Sequence, residues 1–291
     1  MSRRFVILGA AFGAILCGVA AFGWLHVRSQ QPVVRFVPES KSTPEPAPGG
    51  NPGPVAGSAS RAPARIPSPE LGFAPSPGEV LNFSASVAKV DDVASLRLKV
   101  DGKTSLRGNP VWHLQAFAHT RNPLRMVFTL DDQFDSYSTA EKYTSLQYEM
   151  HLDERGEKVN SVQGLSATGR EAAPAGASMV RVPPGTRDPL GLMQYLRAVD
   201  WTKTSEVRSP VFDGRKLYDV RARWTGSANV SVPAGSYVTN TIDIRVYDNG
   251  TEMKDARFTL YLAKDPTRAP VLLEAVLPFA TARVELVKQS E

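Results

Sequence analysis

The chain contains a single cysteine, Cys17, so neither an intrachain disulfide nor a multi-cysteine metal site can be built. Histidine is nearly as scarce, with His26, His113, His119 and His151. His113 and His119 fall on the same face of one strand, six residues apart. At ~3.3 Å per residue they are ~20 Å apart, too far to share a metal ion. The motifs GxSxG, HExxH and GxGxxG, and the phosphate-binding GxxxxGK loop, are all missing, so none of those catalytic or nucleotide-binding devices is present. These absences give the expectation of a non-enzymatic protein with no metal and no cofactor.

An excess of one charge is also lacking where it would matter. Residues 1–77 carry seven Lys/Arg and three Asp/Glu, whereas residues 78–291 carry 27 and 26. The basic isoelectric point is therefore a property of the N-terminal tail. A nucleic-acid-binding domain concentrates positive charge on its folded part, because phosphate neutralisation supplies most of its affinity. Nucleic acid is excluded as a partner on that ground.

What the sequence does contain falls into three zones. Arg3 and Arg4 precede 21 residues without a charge, Phe5 to Leu25. As a helix rising ~1.5 Å per residue this run covers a bilayer core of ~30 Å. Residues 1–30 are expected to be a signal anchor, with residues 5–25 as a single transmembrane helix in the bacterial inner membrane and the C-terminal part in the periplasm. A cleaved signal peptide ending near Val19-Ala20-Ala21 and a lipoprotein signal acylated at Cys17 stay open beside it. Residues 31–77 hold 12 of the 23 prolines, interleaved with Gly, Ser and Ala. They are expected to form a disordered spacer, since proline removes backbone donors and no apolar period is left to bury.

From Gly78 onward the period is two. "LNFSASVAK", "SLRLKVDG", "KLYDVRARW", "TIDIRVYDNG", "RFTLYLAKD" and "ARVELVK" set apolar against polar side chains at alternate positions, giving strands with one buried and one solvated face. Asp101-Gly102, Asp213-Gly214, Asn249-Gly250 and "DERG" at 153–156 supply the turns. Roughly ten to twelve strands are too many for a flat sheet. Residues 78–291 are therefore expected to form one mainly β domain, a strongly curved antiparallel sheet, β-barrel or half-barrel. "RDPLGLMQYLRAVDW" is its one helix, at about 188–199. Asp188 is placed to cap it, with Pro189 in its first turn. Leu192, Tyr195, Leu196 and Val199 share an apolar face.

In order along the chain, "PGEVLNFSASV", "LDDQFDSYS", "DPLGLMQYLRAVDW", "DGRKLYDVRARW", "VPAGSYVTNTIDI" and "LYLAKDPTRAPVLLEAVLPFATARVELV" resemble a bacterial exported family, domain of unknown function 3108. The resemblance covers residues 77–288. It implies an exported location and a β fold, and no established activity. In that family the helix usually begins with Asp, has Ser three residues on, and ends with Tyr and Arg. Asp188, Tyr195 and Arg197 match, while Gly191 stands in place of the Ser, which argues against serine chemistry there. By fold-level analogy the design is similar to envelope carriers that cradle acyl chains under a helical lid.

Two candidate sites follow. Arg197 could anchor a carboxylate or phosphate head group with Tyr195 below it; alternatively, Arg197 pairs with a strand carboxylate and Tyr195 fills the core. "DDQFD" (Asp131, Asp132, Asp135) is expected to be a solvated turn rather than a cation site, because it lacks the glycine and spacing of a calcium loop. Phe83, Phe117, Phe128, Phe134, Phe258 and Phe279 either line a cavity or fill a core. The leading expectation is a membrane-anchored periplasmic module that binds a lipid or other amphiphile. An envelope scaffold that docks a protein partner, with a filled core, is the alternative.

Overall fold

The computed structural model describes residues 69–170, 176–276 and 280–288. The expected anchor at 1–30 and most of the expected spacer lie outside the described residues. Among those described, no helix is long and apolar enough to cross a membrane.

Among the described residues, thirteen strands form one sheet. They are β1 Val80–Val87, β2 Val90–Leu106, β3 Asn109–Thr120, β4 Asp131–Thr139, β5 Ser145–Glu154, β6 Glu157–Ser166, β7 Ser178–Arg181, β8 Glu206–Phe212, β9 Leu217–Val232, β10 Gly235–Asp248, β11 Thr251–Ala263, β12 Pro270–Val276 and β13 Thr281–Val287. The single α-helix among the described residues, α1, is Pro189–Ala198 and lies between β7 and β8. The order across the sheet is β7-β6-β5-β4-β3-β2-β1-β13-β12-β11-β10-β9-β8. Every neighbouring pair is antiparallel except β6 with β7, which is parallel. The order folds back on itself, so the two sheet ends, β7 and β8, are consecutive in the chain.

The segment joining those ends bridges them. Ser145 N on β5 donates to Thr186 O (3.0 Å), while Arg187 N donates to Pro210 O (3.0 Å) and Phe212 N to Arg187 O (2.8 Å). Further along the seam, Gln163 Nε2 on β6 donates to Gly214 O in the β8–β9 turn (2.6 Å). α1 touches β3, β4 and β8, strands far apart in the order, so the sheet curls round the helix. The expected curved sheet with a capping helix is what the chain forms.

The alternation read from the sequence points Phe83, Leu96, Leu114, Val220, Ile242, Leu260 and Val284 inward, all buried. Large side chains face small ones across the ladders, as in Leu96 opposite Ala118 and Phe258 opposite Ala275. Such pairing fills a narrow interior without overpacking.

Three expectations need correction. "DDQFD" is not a solvated turn: it opens β4, with Asp132 3% and Asp135 4% exposed. Its inward positions are Asp132, Phe134, Ser136 and Ser138, and polar residues at three of the four hide the period. Asp101-Gly102 is not a hairpin turn but a register shift inside β2. The turn comes at Arg107-Gly108, both at positive φ (51° and 78°), the conformation of a two-residue hairpin loop. Finally, α1 carries more than one apolar stripe, for Leu190, Gly191, Gln194, Tyr195, Leu196, Arg197 and Ala198 are all buried. A plug inside a curled sheet meets protein on nearly every side.

The described chain also begins ahead of residue 78. Gly72 N donates to Ala198 O (2.8 Å) and Leu71 bridges Val199, so this stretch packs along the end of the helix.

Candidate functional site

α1 starts where sequence chemistry says it should. Asp188 is the cap, with extended backbone (φ −84°, ψ 174°), and its Oδ1 accepts from Gly191 N at 2.8 Å. Its Oδ2 accepts from Ser136 Oγ at 2.6 Å and from Ser145 Oγ. Ser145 Oγ in turn accepts from Asp188 N at 2.7 Å, and Ser138 Oγ lies 2.9 Å from Ser136 Oγ. Asp188, Ser136 and Ser138 are 0% exposed. Burial pushes the Asp188 carboxyl above its ordinary range, and the two serines and the backbone donors of Gly191 and Leu190 pull against it. The hydroxyls that donate to this carboxylate are sealed from solvent, so the cluster has the composition of a reactive site without access for a substrate.

Gly191 is needed for the approach of helix to wall. A Cβ there would lie 2.7 Å from Ser138 Oγ and 3.0 Å from both Ser145 Oγ and Tyr143 O.

At the other end of α1, Arg197 is 1% exposed. Its Nη1 and Nη2 donate to Glu79 Oε2 and Oε1 at 2.8 and 2.7 Å, a two-point carboxylate grip. Nη1 also donates to Gln194 Oε1 (3.0 Å), Nη2 to Thr267 O (2.9 Å) and Nε to Arg268 O (3.1 Å). All five N–H groups are thus engaged within the chain. Arg268 returns the contact, its Nη1 donating to Arg197 O, Ala198 O and Val199 O at 3.3, 3.2 and 3.1 Å. The last carbonyls of the helix are thereby satisfied by a cation.

Tyr195, 5% exposed, lies under the Arg187 guanidinium, whose Cζ is 3.6 Å from the ring centroid. Arg187 Nη1 and Nη2 reach Gly185 O, Ser209 Oγ and Lys142 O, and burial draws its pKa down to about 10. Tyr195 and Arg197 therefore lie near each other on the helix but serve different contacts, one at the seam and one at the helix C-terminus. Arg197 forms part of the wall of a hollow of about 180 Å³ with Asp200, Trp201, Asn240, Lys264 and Arg268; Tyr195 does not.

Beneath the helix, an apolar void of about 40 Å³ is lined by residues including Phe83, Leu96, Leu98, Leu190, Met193 and Leu273. This is room for only about three water molecules. Phe83, Phe128, Phe134 and Phe258 are buried in the core, Phe117 faces outward, and Phe279 lies outside the described residues.

On the outer wall, Asp135 accepts from Gln115 Nε2 (2.8 Å) and Gln133 Nε2 (2.7 Å) and lies 2.7 Å from His113 Nε2. His113 Nδ1 faces Asp101 Oδ2 at 3.3 Å, and its ring stacks flat on Tyr137 with centroids 4.6 Å apart. Asp135 first, then Asp101, raises the His113 pKa, partly offset by burial. His119 faces the same way but belongs to another group, with Nδ1 2.9 Å from Asp131 Oδ1.

Sequence reasoning missed Glu79, Gln194, Arg187, Ser136 and Ser145 as partners of the helix. The one signal, and only for Ser136, was the run of polar residues at inward positions of β4. Glu79 is 118 residues from Arg197, beyond the reach of any local pattern.

A single, almost wholly antiparallel sheet curled round one buried helix, with a polar cluster at each end of that helix, defines a plugged barrel-like domain. The chain belongs to the family described as protein of unknown function (DUF3108), whose model matches residues 82–287. A comparison with curated proteins finds no match. Among solved structures, the chain is similar to a beta-barrel-like protein of domain of unknown function DUF1849 from Brucella abortus. The two share 11% identity over 75% of this chain and 98% of that one, with a TM-score of 0.48. It is also similar to a protein with a YmcC-like fold from Bacteroides fragilis, at 11% identity over 76% of this chain and 100% of that one, with a TM-score of 0.34.

Proposed function

We propose that this domain is a non-enzymatic binding module of the bacterial envelope that takes its ligand or partner on the outside of a filled barrel. The observation that carries the reading is the interior. Among the described residues, the apolar void beneath the helix, about 40 Å³, is far below the ~300 Å³ at which ligand pockets begin. A head group at Arg197 would have to displace Glu79, Gln194 or two backbone carbonyls, so we assign Arg197 and Tyr195 to holding the plug. The sealed Asp188–Ser136–Ser145 cluster supports a non-catalytic role. The inner-membrane tether is proposed from Arg3, Arg4 and the uncharged run Phe5 to Leu25, with the domain displayed in the periplasm.

Native mass spectrometry of the full chain, extracted in mild detergent, tests this reading. The expected result is that filling the interior void by Leu273→Trp changes no adduct. A stoichiometric lipid-sized adduct that disappears in Leu273→Trp but persists in outer-wall variants would put the ligand inside and overturn the proposal.

A further inference from the structure

The outer wall across β13, β1, β2 and β3 holds a groove of about 350 Å³, whose lining includes Asn82, Arg97, Phe117, His119, Arg121 and Lys288 and contains no carboxylate. Its position follows from register. Val287 pairs with Asn82, Asn82 with Arg97, and Arg97 with Phe117, giving one outward row across four strands. The next outward positions on β1 and β2 are Ser84 and Ser95, which pair with each other, and these short side chains leave a depression beside the longer ones.

Charge there is unbalanced. Arg121 is taken up by Asp92, with Nη1 2.7 and 2.8 Å from its two oxygens. His119 shares Asp131 with Arg125. Arg97 has no carboxylate partner among the described residues; its Nε donates to Asn82 Oδ1 at 3.1 Å, which leaves both Nη groups with hydrogens to give. Lys288 likewise has no ion pair among the described residues. Phe117 is the one aromatic on a β3 outer face otherwise made of Val111, His113, Gln115 and His119, and it is only half-buried. An unpaired guanidinium, an unpaired ammonium and an apolar ring in one small-molecule-sized groove suit an anion that carries an apolar group.

We infer that this groove binds a phosphate ester with an apolar substituent, its phosphate on Arg97 and Lys288 and its apolar part on Phe117. The inference rests on the outside-binding reading above and names the ligand chemistry for it. The same chemistry could come from a phospholipid head group or from a soluble organophosphate.

The test is calorimetric titration of the full chain, in an uncharged detergent and low salt, with phenyl phosphate, inorganic phosphate and dihexanoylphosphatidylglycerol. Phenyl phosphate is expected to saturate one site and to bind at least tenfold more tightly than inorganic phosphate. Arg97→Gln should weaken phenyl phosphate at least tenfold. Phe117→Ala should weaken it severalfold while leaving inorganic phosphate unchanged. Competition by the short-chain lipid identifies a head group as the source, and its exclusion identifies a soluble ester. Absence of saturable binding, or equal affinity in wild type and Arg97→Gln with unchanged melting temperature, overturns the assignment. If those variants bind as wild type while native mass spectrometry still finds the ligand outside the barrel, the groove falls alone; a ligand found inside removes both readings.

Discussion

The two ends of α1 are buried to the same degree and held by opposite charges, yet they are stabilised by different means. Asp188, 0% exposed, meets only neutral donors: two serine hydroxyls and the backbone N–H groups of the first turn. Arg197, 1% exposed, meets a full carboxylate together with an amide and two carbonyls. Burial pushes the carboxyl at the first end toward its protonated form, and the neutral donors offset that only in part. At the second end the charge is cancelled, but each partner is left exposed to the loss of the other. The two ends should therefore fail differently when one side is removed.

The largest effect is expected at the Arg197 end of this comparison. Arg197→Met should destabilise the domain by about 3–5 kcal/mol in chemical denaturation, because Glu79 would be left partly buried without its cation. Arg197→Met combined with Glu79→Leu should recover most of that loss. A double variant no better than the single one would show that Arg197 acts through its carbonyl contacts instead.

Asp188→Ala should cost less, about 2 kcal/mol. A helix cap is worth ~1 kcal/mol, and the remainder comes from hydroxyls left without an acceptor. Gly191→Ala attacks the same end sterically and should cost about 1–2 kcal/mol. Ser138→Ala should return part of that loss, since Ser138 Oγ is the closest atom to the new Cβ. No rescue in the double variant would locate the obstruction at the Tyr143 carbonyl.

A third buried carboxylate sharpens the point about donors. Asp132 accepts one backbone N–H, from Asp153 at 3.0 Å, where Asp188 has several donors. Burial first, with Glu154, Asp131 and Asp153 adding to it, raises its pKa to about 7. A carboxyl raised in the folded state stabilises fully below its unfolded value of 3.8 and loses that contribution as pH rises through about 7. Asp132→Asn should thus add about 1 kcal/mol at pH 8 and flatten the melting profile between pH 4 and 7. A loss of stability at pH 8 would mean that the charge is wanted there.

The smallest effect is expected at His113. Its raised pKa contributes stability below the ordinary histidine value, and that is lost as pH rises through the higher folded one. His113→Gln should remove a step of less than about 1 kcal/mol from the pH profile above 6.5.

Much of this architecture was legible where strands have one apolar and one charged face. "KLYDVRARW" and "TIDIRVYDNG" became β9 and β10 because Tyr218, Val220, Ile242 and Ile244 alternate with charges that water can reach. β4 was not legible, because Asp132, Ser136 and Ser138 face the interior and their partners arrive from β5 and α1. The helix and its cap could be read from Asp188-Pro189, but the Glu79–Arg197 grip joins residues far apart in sequence. The Asp101-Gly102 bulge and the Arg107-Gly108 turn use similar chemistry, and only the length of β2 tells them apart. Nothing local marks Arg97, Phe117 and Lys288 as neighbours, since cross-strand register alone brings them together.

The pairing of β1 with β13 has a consequence in time as well as in space. The ladder at the middle of the sheet joins the strand made first to the strand made last, 80–87 to 281–287. Until the later strand has emerged, β1 and β12 each present an open edge to whatever is nearby, the kind of edge on which other strands add. A chain delivered from its N-terminus cannot complete this sheet early, and such long-range closure is slow. During synthesis, residues 80–87 and 270–276 are therefore where a holding factor would be needed most.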